Sequence, residues 1–358
     1  MVYSKNKKCL DSIINEIEVP SADFYEAAKD RLDNLTKPIG SLGRLEELAA
    51  QIAAISRNLS PVLDKKYIFT IASDHGVVDE GVSAYPRDVT AQMVYNFLRG
   101  GAGINVLAKH IGAEVVVVDM GVASDLKEDE RLINRKIAHG TKNMVKGPAM
   151  TVDEALRSIL TGVEIVEMFF KKGAKIIGTG DMGIGNTTSS SAIVSAAASV
   201  APELVTGYGT GLDDRGLKNK IKIIAEAIEL NKPDPQDGVD ILSKVGGFEI
   251  GGIAGLIIGA AYKRIPVVID GFISGAGALI AKKICPNSQS YMIASHKSVE
   301  IGHKIILKEL GLKALFDLDL RLGEGTGAAL GISLADAAVK ILNGMATFKE
   351  AGVAEKSD

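Results

Sequence analysis

The chain has 358 residues, with 41 Lys and Arg against 44 Asp and Glu and a net charge of −3, so a nucleic-acid-coating surface is not favoured. Hydrophobic residues at 46 % and charged residues at 24 % fit a globular protein with a sizeable core and exclude a disordered chain. Two cysteines, Cys9 and Cys285, cannot build a disulfide framework, and 39 Gly with no Trp leave few stacking platforms for bases.

Residues 1–10 show neither an apolar run nor a small-residue cleavage site, so no secretory signal is expected and the cytoplasm is the expected compartment. Residues 11–60 carry apolar positions at helical spacing, Ile13, Ile14 and Ile17 and then Leu45, Leu48, Ile52 and Ile55, broken at Pro20 and at 36–40. From Tyr67 the pattern changes to short apolar runs that end in polar or glycine clusters: 67–72, 114–118, 175–177, 265–269 and 291–294. Runs of this length between helical segments predict buried parallel strands. Residues 122–147 are polar and read as an extended loop. Thr151 and Glu154 form a capping box ahead of an apolar face at Ala155, Ile159, Val163, Val166 and Phe170, and Gly173 ends that helix. The most apolar stretch, 248–262, carries Glu249 and stops at Lys263, short of the ~20 apolar residues a membrane span needs, so it reads as a buried helix and no membrane partner is expected. Residues 330–342 read as a closing amphipathic helix and 350–358 as a polar tail. The whole predicts an α/β fold, a parallel sheet flanked by helices (Rossmann-like) over 65–304. A smaller, mainly helical domain from 1–64 and 305–358 would supply the loop around Glu324.

Ligands of an open parallel sheet bind beyond the carboxyl ends of its strands, which directs attention to Asp74-His75, Asp119, Asp181, Asp270 and His296. The segment 178–192, G-T-G-D-M-G-I-G-N-T-T-S-S-S-A, follows a strand and offers N-cap candidates from Thr187 to Ser191, the makings of a phosphate site at a helix amino end. A ligand-free strand-to-helix turn is the alternative. Gly178, Gly180 and Gly183 also satisfy the dinucleotide fingerprint, so an NAD-dependent oxidoreductase is a rival; Asp181 inside the turn and the lack of a ribose-binding acid ~20 residues on count against it. A second loop, 206–220, ends in Lys218 and Lys220, either of which could neutralise a phosphate or be an ordinary surface lysine. A third, L-R-L-G-E-G-T-G-A-A over 320–329, sets Glu324 between glycines, as a general base or as a surface carboxylate in a turn. With five His and no ligand spacing, no metal is expected at Asp74-His75 or elsewhere.

Taken in order, S-D-H-G-V-V-D-E-G-V-S-A-Y-P from Ser73, V-T-A-Q-M-V from Val89, G-G-A-G-I-N-V-L from Gly100, G-I-G-N-T-T from Gly183, G-T-G-L-D-D from Gly209 and G-E-G-T-G from Gly323 resemble one family. It is the nicotinate-nucleotide:dimethylbenzimidazole phosphoribosyltransferases of cobalamin biosynthesis, and the resemblance runs from about Thr36 to Leu342. It implies transfer of 5-phosphoribose from nicotinate mononucleotide to a lower-ligand base, with no cofactor, in a homodimer whose partner supplies part of each pocket. By the same resemblance Glu324 would be the catalytic carboxylate, and Asp181, Gly183, Gly185, Asn186, Thr187, Gly209, Thr210, Lys220 and Ser298 would hold the phosphoribosyl and nicotinate groups. Ser83, Tyr85, Gln92, Met182 and Leu322 would line the base pocket. The family pattern usually has Glu where this chain has Asp181, one methylene shorter, which leaves a purine or phenolic acceptor open beside dimethylbenzimidazole.

Overall fold

The computed structural model describes residues 2–209 and 211–354. Six strands form one parallel sheet: β1 (Lys66–Ser73), β2 (Glu114–Gly121), β3 (Leu132–Asn134), β4 (Ile176–Met182), β5 (Val267–Ile269) and β6 (Met292–Ala294), in the order β3-β2-β1-β4-β5-β6. The five expected strands are present. β3 is the addition, inside the stretch read as a loop; it is three residues among charges and pairs only with the end of β2 at Val117 to Asp119.

The helices are α1 (Val2–Asn15), α2 (Ala22–Asp33), α3 (Arg44–Ser56), α4 (Val89–Arg99), α5 (Gly103–His110), α6 (Val152–Lys171), α7 (Asn186–Ala198), α8 (Asp214–Asn231), α9 (Gly238–Val245), α10 (Phe248–Tyr262), α11 (Phe272–Ile284), α12 (His303–Leu310), α13 (Thr326–Gly344) and α14 (Phe348–Ala351). The last is a single turn that runs into the first two residues of the expected tail. Alternate strand residues serve two cores: Tyr67, Phe69 and Ile71 of β1 with Val116 and Val118 of β2 face α6 and α10, while Ile68, Ala72 and Val117 face α3, α5 and α13. This is period-two alternation on a sheet covered on both sides.

The capping box forms as read, with Thr151 Oγ1 accepting from the Glu154 amide at 3.2 Å and the Glu154 carboxylate accepting from the Thr151 amide at 2.7 Å. α10 is buried along nearly its whole length and touches α6 backbone to backbone. A Cβ on Gly255 would collide with the Ile159 carbonyl. Helix propensity alone predicts that Gly255→Ala stabilises by ~1 kcal/mol; packing predicts a loss of about 3 kcal/mol. Denaturant unfolding decides between the two signs, and an alanine variant as stable as the parent would refute the close-packing account.

Candidate active site

β1 leads to β2 on one side and β4 lies on the other, so chain connections diverge at the carboxyl ends of β1 and β4. A crevice opens at such a switch point. A cavity of about 430 Å³ lies there, walled by the turn after β4, by residues 271–273 after β5, by His296, Ser298 and Glu300 after β6, and by the loop 321–324.

Glu324 is built into this wall by its backbone. It and its neighbours Gly323 and Gly325 have φ of +63°, +79° and +100°, three left-handed residues in succession. A non-glycine residue there costs about 1–3 kcal/mol and is retained where surrounding bonds enforce it. The enforcing bonds are visible: Thr70 Oγ1 donates to the Glu324 carbonyl at 2.8 Å, and the Asp270 carboxylate accepts from the amides of Gly325, Gly327 and Ala328 at 3.1, 2.7 and 3.1 Å. Asp270 thereby clamps the amino end of α13 to the end of β5. Burial raises its pKa to about 7 in spite of those donors. The Glu324 side chain is 6 % exposed, and its Oε2 accepts from the Ile104 amide of α5 at 3.1 Å. Burial lifts its pKa above the usual glutamate range, which suits a group that must take a proton near neutrality.

Gly178 and Gly180 lie within β4 rather than in a loop, and they face α13. A Cβ on Gly180 would strike the Glu324 carbonyl and one on Gly178 would crowd Ala328 and Ile332, so these two glycines make room for the Glu324 loop. The dinucleotide reading of Gly178, Gly180 and Gly183 does not hold, because its first two glycines lie inside β4 and are packed against α13 and the Glu324 backbone. The expected cap of α7 at Thr187 to Ser191 also moves: Gly185, with φ +92°, is the N-cap, and Thr187 lies inside the first turn.

Asp181 is the penultimate residue of β4, at the cavity wall. Its Oδ2 accepts from Asn186 Nδ2 at 2.9 Å while Oδ1 has no partner, and the residue is 5 % exposed. Burial first, then the charges of Asp270, Glu249 and Glu324, push its pKa well above the usual aspartate range.

Met182, Gly183, Asn186, Thr187, Gly209, Ser298, Tyr85 and Leu322 line the same cavity as Asp181 and Glu324. Lys220 stands one bond behind that wall, its Nζ 2.8 Å from Thr187 Oγ1 and 3.5 Å from the Gly207 carbonyl. Burial brings its pKa down to about 8, against the opposing charge of Glu300. Gly185, Ser83 and Gln92 are not among the lining residues; the Ser83 hydroxyl instead accepts from the Tyr85 amide at 3.2 Å. Thr210 lies outside the described residues. Glu300 and Arg321 were not singled out in the sequence, yet both line the cavity, and Arg321 reaches the Gly209 carbonyl at 3.5 Å. Arg321 stands three residues before Glu324 in the glycine-rich loop, which is the signal that could have found it.

A family model described as Phosphoribosyltransferase matches residues 17–353. The nicotinate-nucleotide–dimethylbenzimidazole phosphoribosyltransferase of Geobacter metallireducens is 55 % identical over 349 residues, covering 98 % of this chain and 99 % of that protein. Its counterpart in Geobacter sulfurreducens is 54 % identical, covering 97 % and 98 %. The crystal structure of nicotinate-nucleotide-dimethylbenzimidazole phosphoribosyltransferase from Thermus thermophilus superposes with a TM-score of 0.89 at 43 % identity, covering 94 % of this chain and 100 % of that one. A six-stranded sheet of this order and a buried carboxylate in a left-handed turn, sharing one cavity with the turn after β4, accompany that likeness, and the chain belongs to the nicotinate-nucleotide–dimethylbenzimidazole phosphoribosyltransferase family.

Proposed function

We propose that the protein transfers 5-phosphoribose from nicotinate mononucleotide to 5,6-dimethylbenzimidazole or a related lower-ligand base, giving α-ribazole 5′-phosphate and nicotinate. The observation that carries this reading is Glu324, a buried carboxylate of raised pKa set in the wall of the same cavity as the amino end of α7 and Thr187. Glu324 takes the proton from one imidazole nitrogen of the acceptor. The other nitrogen bonds to C1′ as the bond from C1′ to the nicotinate nitrogen breaks. The electron pair of the broken bond returns to that ring nitrogen, so the leaving group departs as a neutral pyridine without needing a proton. Attack opposite the leaving group inverts β to α.

The helix amino end and Lys220, acting through Thr187, supply the positive potential for the ribose phosphate, with Gly183, Gly209 and Ser298 beside it. Met182, Tyr85 and Leu322, which line the cavity, offer apolar faces to the flat base. Because the Lys220 ammonium titrates at about 8 in the free protein, affinity for the nucleotide is expected to weaken as pH rises through 8. KM for nicotinate mononucleotide between pH 7 and 9 checks this, and Lys220→Met should lose the trend; a flat profile in the parent would contradict the assignment.

Leu322 and Tyr85 line the cavity and are 60 % and 50 % exposed, and Tyr208, Val299 and Ile301, chain neighbours of the lining residues Gly209, Ser298 and Glu300, are exposed as well. This apolar rim supports a homodimer in which a second copy covers the mouth; monomeric mass in light scattering of the active protein would refute it. The reading includes the two-part organisation, in which helices from both ends of the chain carry the Glu324 loop onto the large α/β part, and a cytoplasmic setting. Incubation with nicotinate mononucleotide, with and without dimethylbenzimidazole, tests the reaction: nicotinate release that requires the base is expected, and tight NAD binding without release would overturn it.

A further inference from the structure

The Asp74-His75 pair is a sequence motif that the site above leaves without a task. His75 follows β1 at the switch point, and its ring is wholly buried. Its Nδ1 lies 2.9 Å from Ser189 Oγ in the first turn of α7, and its Nε2 lies 2.7 Å from Glu249 Oε1 in the first turn of α10. A Ser–His–Glu row with these spacings looks like a hydrolytic triad, but Ser189 is 1 % exposed and has no share in the cavity wall, so a substrate does not reach its oxygen. What the row does is join the starts of two helices through the end of the central strand.

We infer that His75 is a positioning residue for the phosphoribosyl half of the site, fixing the first turn of α7 and with it the place of Thr187 and the 183–187 amides in the cavity. This rests on the phosphoribosyl-transfer reading. The turn has other tethers in plain view: Ile184 donates its amide to Thr90 Oγ1 at 3.1 Å, and Asn186 donates to Asp181 at 2.9 Å. Ile184, Asn186 and Asp181 line the cavity, whereas His75 and Ser189 have no share in its wall, so His75 holds the turn from behind. There is no slack between them, since a Cβ on Gly185 would sit 3.2 Å from His75 Cβ and one on Gly247 would collide with the far side of the ring. Thr187 in turn holds Lys220 Nζ at 2.8 Å, so a shift of this turn moves the cation as well as the amides. Tyr85 and Leu322, on the base side, make no hydrogen bond to the turn and would stay where they are.

The test uses the full chain and three variants. His75→Asn sets an amide near the Nδ1 position and keeps the Ser189 partner, His75→Gln reaches the Nε2 position and keeps Glu249, and Ser189→Ala leaves the His75–Glu249 pair whole and is the variant least exposed to misfolding. His75→Gln and Ser189→Ala are expected to raise KM for nicotinate mononucleotide about tenfold while KM for the base changes less than about twofold, with His75→Asn close to the parent. Calorimetric binding of nicotinate mononucleotide without base should show the same order. Equal rises for both substrates, unchanged binding in every variant, or Asn as damaged as Gln with a matching fall in Tm would overturn the inference. A parent protein that does not bind nicotinate mononucleotide would overturn the functional reading and this inference with it; a parent that binds while all variants bind equally would overturn the inference alone.

Discussion

Glu324→Gln is expected to bind nicotinate mononucleotide within about twofold of the parent and to turn over about 10³-fold more slowly, the scale of a lost general base. The glutamine keeps shape and volume, and its amide oxygen can still accept from the Ile104 amide, so the left-handed turn and the wall survive. Only basicity is removed. The pH profile adds a second readout. The proposed mechanism uses the ionised form of Glu324, and burial raises its pKa, so turnover of the parent should fall as pH drops through that raised value, and the variant should lack this acidic limb. Equal turnover of parent and variant at saturating substrates would remove Glu324 from the mechanism.

Gly180→Ala is the second large effect, from a residue that touches no substrate. Its added methyl group meets the Glu324 carbonyl, which is backbone already pinned by Thr70, and Gly325 beyond it is pinned by Asp270. The loop must move or the strand must bend. Overpacking of this kind costs about 1–3 kcal/mol, and a displacement of about 1 Å at a reacting group can cost about 100-fold in rate. The expected variant is folded, somewhat less stable, and about 100-fold slower with little change in nucleotide KM. A nucleotide-binding role for Gly180 predicts the opposite split, with affinity lost first; circular dichroism, Tm and steady-state kinetics on one preparation separate the two.

Much of the fold was legible because buried parallel strands write themselves as short apolar runs, and because the α6 start needs only local chemistry at Thr151 and Glu154. The Glu324 loop was marked in the sequence by its two flanking glycines, and the structure sets all three residues in left-handed backbone. What could not be read is what depends on partners far apart in the chain. Gly178 and Gly180 look like a ligand loop until α13 is seen lying against them. Asp270 reads only as a strand-ending acid, yet it holds three amides more than fifty residues away. β3 exists because β2 offers it an edge, and nothing in L-I-N among charges says so. His75 and Glu249 stand 174 positions apart, and their bond is invisible to any pattern of spacing.

The configuration at C1′ of the product tests the central claim most directly. Single displacement, with Glu324 activating the base and the phosphate held at the amino end of α7, gives the α anomer alone, released one for one with nicotinate. NMR of the product from nicotinate mononucleotide and dimethylbenzimidazole is predicted to show only α-ribazole 5′-phosphate; a β product or an anomeric mixture would contradict the account.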